Sequence, residues 1–148
     1  MKAPDFALKD KDGFLHSLKD VKSNYTIVYF YPKDSTPGCT IEANAFNNHL
    51  PEFKKLKTTI IGISGGDEKT KKKFCVKYDL KILLLSDPDF AVSKKYKSYG
   101  KKTFMGMTFN GIFRNTFILD KNKFIIKTFD KVKAEGHAEE VINFLKNI

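Results

Sequence analysis

The chain has 148 residues, enough for one domain with a real core, and 41% of them are apolar, including 14 Phe and 6 Tyr. It contains no apolar run of about 18 residues, so no membrane span is expected, and its opening residues lack a signal-peptide stretch. The formal charge is +10, from 27 basic and 17 acidic residues, and Arg114 is the only arginine. Base readout and forked phosphate contacts favour arginine, so a lysine-biased surface argues against dedicated nucleic-acid recognition. The same bias makes Arg114 stand out as a position that needs a planar, forked donor.

In chain order, Phe6 to Leu8 and Phe14 to Leu18 read as a short hairpin around Asp12-Gly13. Tyr25 to Tyr31 reads as a buried strand, and Glu42 to Leu56 as a helix with a kink or break at Pro51. Thr58 to Ser64 is a second buried strand. Gly65-Gly66-Asp67 is a turn with Asp67 as N-cap of a helix reaching about Tyr78. Leu83 to Ser86 is a short strand, and Asp87-Pro88-Asp89 opens a helix to about Tyr96. Thr103 to Asn110 reads as a loop or irregular strand. Ile112 to Leu119 and Phe124 to Phe129 form a hairpin across residues 120–123, and Gly136 to Asn147 is a closing helix. This order mixes parallel crossovers with an antiparallel hairpin. It predicts a thioredoxin-like α/β sandwich, a central mixed sheet flanked by helices, with residues 1–148 as a single domain.

The chemistry concentrates in YPKDSTPGCT, Tyr31 to Thr40. Cys39 falls at a strand-to-helix junction, in the first turn of the helix, where backbone N–H groups favour a thiolate. Pro32 and Pro37-Gly38 fix a backbone that is neither strand nor helix. Thr36 places a hydroxyl where it can bond the sulfur or a substrate oxygen. The other cysteine, Cys75, lies 36 residues on, so there is no CxxC pair and no zinc framework. His16, His49 and His137 have no metal-ligand spacing, and no metal or cofactor is expected. His137, near a helix start, reads as structural. Gly62 to Thr70 lacks the ending of a phosphate loop and reads as an ordinary turn. Lys71-Lys72-Lys73 reads as a solvated helix face. Met105 and Met107, beside Phe104 and Phe109, read as packing or as the mouth of a site.

The pattern P-x-x-x-T-x-x-C, Pro32, Thr36 and Cys39 within FYPKDSTPGCTIEA, resembles the peroxiredoxins, most of all their bacterioferritin-comigratory (PrxQ) branch. Ala3 to Phe6, Leu84 to Pro88 and Gly136 to Glu140 are similar to that branch's opening, middle and end. The resemblance implies a peroxidase that reduces hydrogen peroxide and organic hydroperoxides and is recycled by a thioredoxin-type dithiol. Cys39 would be the peroxidatic residue and pass through a sulfenic acid. Thr36 and Arg114 match the positions that bind the peroxide and stabilise the thiolate, and Pro32 the one that shields the sulfur. Glu42 matches a position that can pair with the arginine, or is a first-turn acid favoured by the helix dipole.

Many members of the branch carry a resolving cysteine five residues after the first; here that position is Asn44, which excludes that arrangement. Others carry it on the next helix, where Cys75 fits, and resolution by Cys75 is the favoured reading. A disulfide would need Cα atoms within about 7 Å, so local unfolding would precede it if the helices hold the sulfurs apart. The alternative is a one-cysteine peroxidase, or a thiol redox sensor, with Cys75 as packing. The resemblance further implies a monomer; the lysine bias and the lack of an apolar span or export stretch lead us to expect no specific nucleic-acid partner, no membrane partner and a cytoplasmic location.

Overall fold

The computed structural model describes residues 1–148. Two strands, β1 (Ala7–Lys9) and β2 (Leu15–Ser17), open the chain as an antiparallel pair. Gly13, at φ 84°, turns between them. The central strands are β3 (Tyr25–Phe30), β4 (Thr58–Ser64) and β5 (Leu83–Ser86), paired in parallel. β8 (Thr116–Leu119) and β9 (Ile125–Phe129) extend the other edge antiparallel. The resulting mixed sheet of seven strands has the order β2-β1-β5-β4-β3-β8-β9.

Strand β3 shows why the sheet is buried on both faces. Its side chains alternate: Ile27 and Tyr29 enter one apolar cluster, Val28 and Phe30 the other. The first cluster lies under α1 (Pro37–Asn48), α2 (Leu50–Lys55), α3 (Glu68–Tyr78) and α5 (His137–Lys146), and includes both cysteines. The second lies under the N-terminal segment and α4 (Ala91–Lys95). No helix is long and apolar enough to cross a membrane.

The expected helix 42–56 is two helices broken at His49, with Pro51 in the first turn of α2. Asp67 caps α3 as expected, accepting from the Thr70 N–H at 2.9 Å. Helix α4 starts later than Asp87. The buried Asp87 carboxylate instead accepts from the N–H groups of Val92 and Ser93, at 3.2 and 2.8 Å, and so acts as a remote cap. The segment Thr103 to Asn110 is regular: β6 (Tyr99–Phe104) and β7 (Met107–Ile112) form their own antiparallel hairpin outside the main sheet. Its tip does not pack, for Phe104, Met105 and Met107 are 67%, 87% and 72% exposed.

The strand expected from Ile112 to Leu119 is interrupted at Phe113-Arg114-Asn115. There the backbone finds partners off the ladder. The Phe113 N–H donates to Ser98, the Val132 N–H donates to the Arg114 carbonyl, and the Phe30 N–H donates to the Asn115 carbonyl. The buried Asn115 amide pins this break by donating to Ser98 Oγ at 3.0 Å and accepting from the Lys131 N–H at 2.8 Å. His137 is structural as expected, buried between Thr116 and Glu140, with ring contacts of 2.7 and 2.9 Å.

Candidate active site

Helix α1 begins where β3 has delivered the chain to the C-terminal end of the sheet. Thr36 is its N-cap, Pro37 its first residue and Cys39 its third. Proline suits that first position, since its missing N–H would have no partner there. The first helical bond runs from the Thr40 N–H to the Thr36 carbonyl at 2.9 Å. Helix geometry therefore leaves the N–H groups of Gly38 and Cys39 without intrahelical acceptors. Their dipoles favour negative charge at the sulfur, which is 1% exposed.

Arg114 reaches this point from the interruption between β7 and β8. Its Nη2 lies 3.5 Å from Cys39 Sγ and its Nη1 donates to Glu42 Oε1 at 2.8 Å. A Cβ on Gly38 would sit 3.0 Å from Nη2. A larger residue there would push the guanidinium back by a few tenths of an ångström. Burial works against the guanidinium charge, but the Cys39 sulfur and the Glu42 carboxylate outweigh it and raise the arginine's pKa.

Glu42 is the sixth residue of α1 and 1% exposed, so it is no first-turn acid. It pairs with the arginine across the site. Burial pushes its pKa up to about 7 against the pull of Arg114, and its Oε2 has no hydrogen-bond partner.

Thr36 points elsewhere than at the sulfur. Its hydroxyl donates to the Lys33 carbonyl at 2.9 Å, which leaves its lone pairs free to accept from an incoming O–H. Pro32 is partly buried in the same loop. The largest surface concavity, about 550 Å³, holds none of these residues. It is lined by Ser23, Asn24 and several lysines at the opposite end of β3.

Cys75 lies on α3, 4% exposed, with its thiol free and its pKa pushed up by burial. It shares an apolar cluster with Cys39. Tyr29 borders Glu42 and both sulfurs; burial first, and then those three neighbours, oppose ionisation of its hydroxyl. The two cysteines thus flank one aromatic floor and are not bonded to each other.

Two lysines enter the picture that sequence reasoning passed over. Lys102 donates to the Ile112 carbonyl at 2.9 Å. Burial and then Arg114 lower its pKa, while Cys39 opposes them, so its ammonium belongs to the site's field. Lys71, expected on a solvated face, is fully buried, whereas Lys72 and Lys73 are exposed. Nothing in the composition separates these lysines from their neighbours. No group of three or more His, Cys, Asp or Glu is placed to hold a metal ion.

A free, buried thiol at a helix start, with a paired arginine against it on a thioredoxin-like sheet, is an arrangement that suits thiol-based peroxide chemistry. The family model for the AhpC/TSA family matches residues 1–128. A putative peroxiredoxin bcp of Helicobacter pylori J99 is 43% identical over 143 residues, 97% of this chain and 94% of that protein. The peroxiredoxin Bcp of Escherichia coli K12 is 39% identical over 144 residues, 97% of this chain and 92% of that one. Among solved structures, the bacterioferritin comigratory protein of Xanthomonas campestris, studied for alkyl peroxide reduction, superposes with a TM-score of 0.90 at 35% identity. That match covers 96% of this chain and 90% of the other. The chain belongs to the AhpC/TSA family, within its bacterioferritin-comigratory (PrxQ) peroxiredoxins, and is a thiol-dependent peroxidase.

Proposed function

We propose that Cys39 is the peroxidatic residue, that Cys75 resolves its sulfenic acid, and that a thioredoxin-type dithiol reduces the resulting disulfide. In the first step the Cys39 thiolate attacks one oxygen of the hydroperoxide. An S–O bond forms, the O–O bond breaks, and the departing alkoxide or hydroxide takes a proton to leave as alcohol or water. Arg114 faces the transferred and leaving oxygens, where charge accumulates. Thr36 accepts from the substrate O–H, and Pro32 keeps water from the sulfur. Glu42 holds the guanidinium in plane.

In the second step Cys75 attacks the sulfenic sulfur, an S–S bond forms, and the sulfenic oxygen leaves as water. The dithiol partner then restores both thiols by thiol–disulfide exchange, one of its sulfurs attacking the disulfide and the other displacing the mixed disulfide, and leaves oxidised as a disulfide. The protein acts as a monomer, and the reducing cytoplasm suits an enzyme whose two thiols rest free.

The observation that carries this reading is the guanidinium set between Cys39 Sγ and the buried Glu42 carboxyl. Intact mass under non-reducing conditions, before and after one equivalent of peroxide, tests it. The expected product is a monomer two mass units lighter, with Cys39 and Cys75 in one linked peptide pair. A stable adduct one oxygen heavier would leave Cys75 without its role, and a covalent dimer would replace it with a partner's thiol. Cys39→Ser should abolish turnover with a thioredoxin-type donor while the fold persists, because a serine hydroxyl stays un-ionised near neutral pH. A variant that keeps most of the rate would remove Cys39 from the chemistry.

A further inference from the structure

Lys71 is the only buried lysine in the chain. Its ammonium donates to Asp34 Oδ2 at 2.9 Å and to the Gly65 carbonyl at 2.6 Å, and lies 5.8 Å from the centre of the Tyr31 ring. Asp34 is 6% exposed at its side chain and is itself fully engaged. Its Oδ1 accepts from the Tyr31 hydroxyl at 2.7 Å, and its Oδ2 also accepts from Thr70 Oγ1 at 3.0 Å. None of these contacts touches the sulfur or the guanidinium.

Their placement in the fold gives them a meaning. Tyr31 and Asp34 lie in the loop that leads from β3 to Cys39. Thr70 and Lys71 lie on α3, one turn before Cys75. Two hydrogen bonds, from Lys71 and Thr70 to Asp34, thus tie the loop of one cysteine to the helix of the other, while the Tyr31 and Gly65 contacts hold each end of that tie in place. The two sulfurs are free and buried, and a disulfide needs its sulfurs within about 2.05 Å of each other. The segments that carry them must therefore move for the bond to form; this cluster joins them on the Cys39-loop side, while Asn47 of α1 joins the far end of α3 by donating to the Asp79 carbonyl at 3.1 Å and accepting from the Lys81 N–H at 2.6 Å.

A buried ion pair adds little net stability when intact, but losing one partner is costly. Such a cluster is stable closed or fully open, and poor at anything between. A surface cavity of about 260 Å³, lined by Asp34, Gly65, Gly66 and Thr70 among others, lies against it. Water is therefore at hand to receive the two charges when they part.

We propose that the Lys71–Asp34 cluster is a latch that keeps the Cys75 helix closed on the Cys39 loop, and that its release sets the rate of disulfide formation. This rests on the reading of Cys75 as the resolving residue. Lys71 and Asp34 are positioning residues: they touch neither peroxide nor sulfur.

The test uses rapid mixing with one equivalent of peroxide, followed by acid quench and thiol trapping, on the wild type, Lys71→Met and Asp34→Asn. Methionine keeps the length of the stem without the charge, and asparagine keeps the shape without the anion. Oxidation of Cys39 should stay within about twofold of wild type, while disulfide formation should speed up about tenfold, a fraction of what breaking a buried pair costs. Over-oxidation of Cys39 at high peroxide should fall in step. Amide exchange supplies a readout independent of the disulfide: residues 32–39 and 67–75 should both exchange faster in either variant.

Disulfide rates equal to or below wild type in both variants would overturn the latch, as would faster exchange in 67–75 with 32–39 unmoved. A wild type that never forms the Cys39–Cys75 bond would instead overturn the resolving role beneath it. Should Lys71→Met fail to fold, Asp34→Asn carries both readouts alone.

Discussion

At the scale of single residues, Arg114 has to supply direction as well as charge. One Nη faces the sulfur at 3.5 Å and the other is held by Glu42 at 2.8 Å, so the plane of the fork is fixed. Arg114→Lys keeps the charge and loses that plane. It should fold and slow the peroxide step by about 1.5–3 kcal/mol, the scale of charged hydrogen bonds, or ten- to a hundredfold. An unchanged second-order rate constant for peroxide would place Arg114 outside the reaction.

Glu42 makes a different prediction, about pH. Its pKa rises from the ordinary 4.5 to about 7 in the fold, with burial as the main cause. The folded state therefore holds this proton more tightly than the unfolded one. The stability it contributes is complete below about pH 4.5 and is lost as pH rises through 7. The rise corresponds to about 3 kcal/mol. Glu42→Gln stays neutral throughout, so between pH 5 and 8 it should lose about that much less stability than wild type. Urea unfolding at both pH values measures the difference. Parallel losses in the two proteins would mean that Arg114 keeps Glu42 ionised across the window.

At the scale of elements, legibility in the sequence followed burial. The strands β3, β4 and β5 are apolar runs closed by turn residues, and each lies where the pattern put it. Asp67 and the first turn of α1 were legible because caps and prolines have their own local chemistry. Two features escaped for the same reason: their residue types usually mean something else. The β6–β7 hairpin carries Phe and Met on a surface, where apolar residues ordinarily signal a core. Lys71 sits in a run of three lysines, and only the turn of α3 decides which of them faces inward. Arg114 was found as the lone arginine, but the break in the strand that aims it depends on partners distant in the chain, such as Ser98 and Val132.

The prediction that belongs to this scale concerns α3. Cys75→Ser should leave the first oxidation of Cys39 near wild-type rate, since the groups facing the sulfur lie on α1 and at Arg114. Turnover with a thioredoxin-type donor should fall sharply, and Cys39 should over-oxidise more readily because its sulfenic acid lives longer. Normal turnover with that donor would make Cys75 a packing residue of a one-cysteine enzyme.

At the scale of the whole molecule, the sheet divides its labour between two faces. One face packs the cluster that holds Cys39, Cys75 and the aromatic floor. The other packs residues such as Leu85 and Phe117, on the face that holds neither cysteine. Phe46 is fully buried on the first face, stacked on Tyr29 at 4.7 Å between ring centres and edge-on to His137 at 5.8 Å. It therefore supports both the core and the ring that borders the two sulfurs. Leu85 is equally buried on the second face. Phe46→Ala should cost about 3–5 kcal/mol and Leu85→Ala about 2–5 kcal/mol, transfer and cavity together. Either loss should lower the melting temperature by roughly 2–4 °C per kcal/mol for a chain of this size. Their effects on chemistry should part. Leu85→Ala should keep the wild-type rate constant for peroxide at a temperature where both variants are folded. Phe46→Ala should lower it, because α1 and Tyr29 lose their common support and Cys39 with them its fixed distance from Arg114. Equal rate constants in the two variants would show that the site is held by its own hydrogen bonds and owes nothing to the face beneath it.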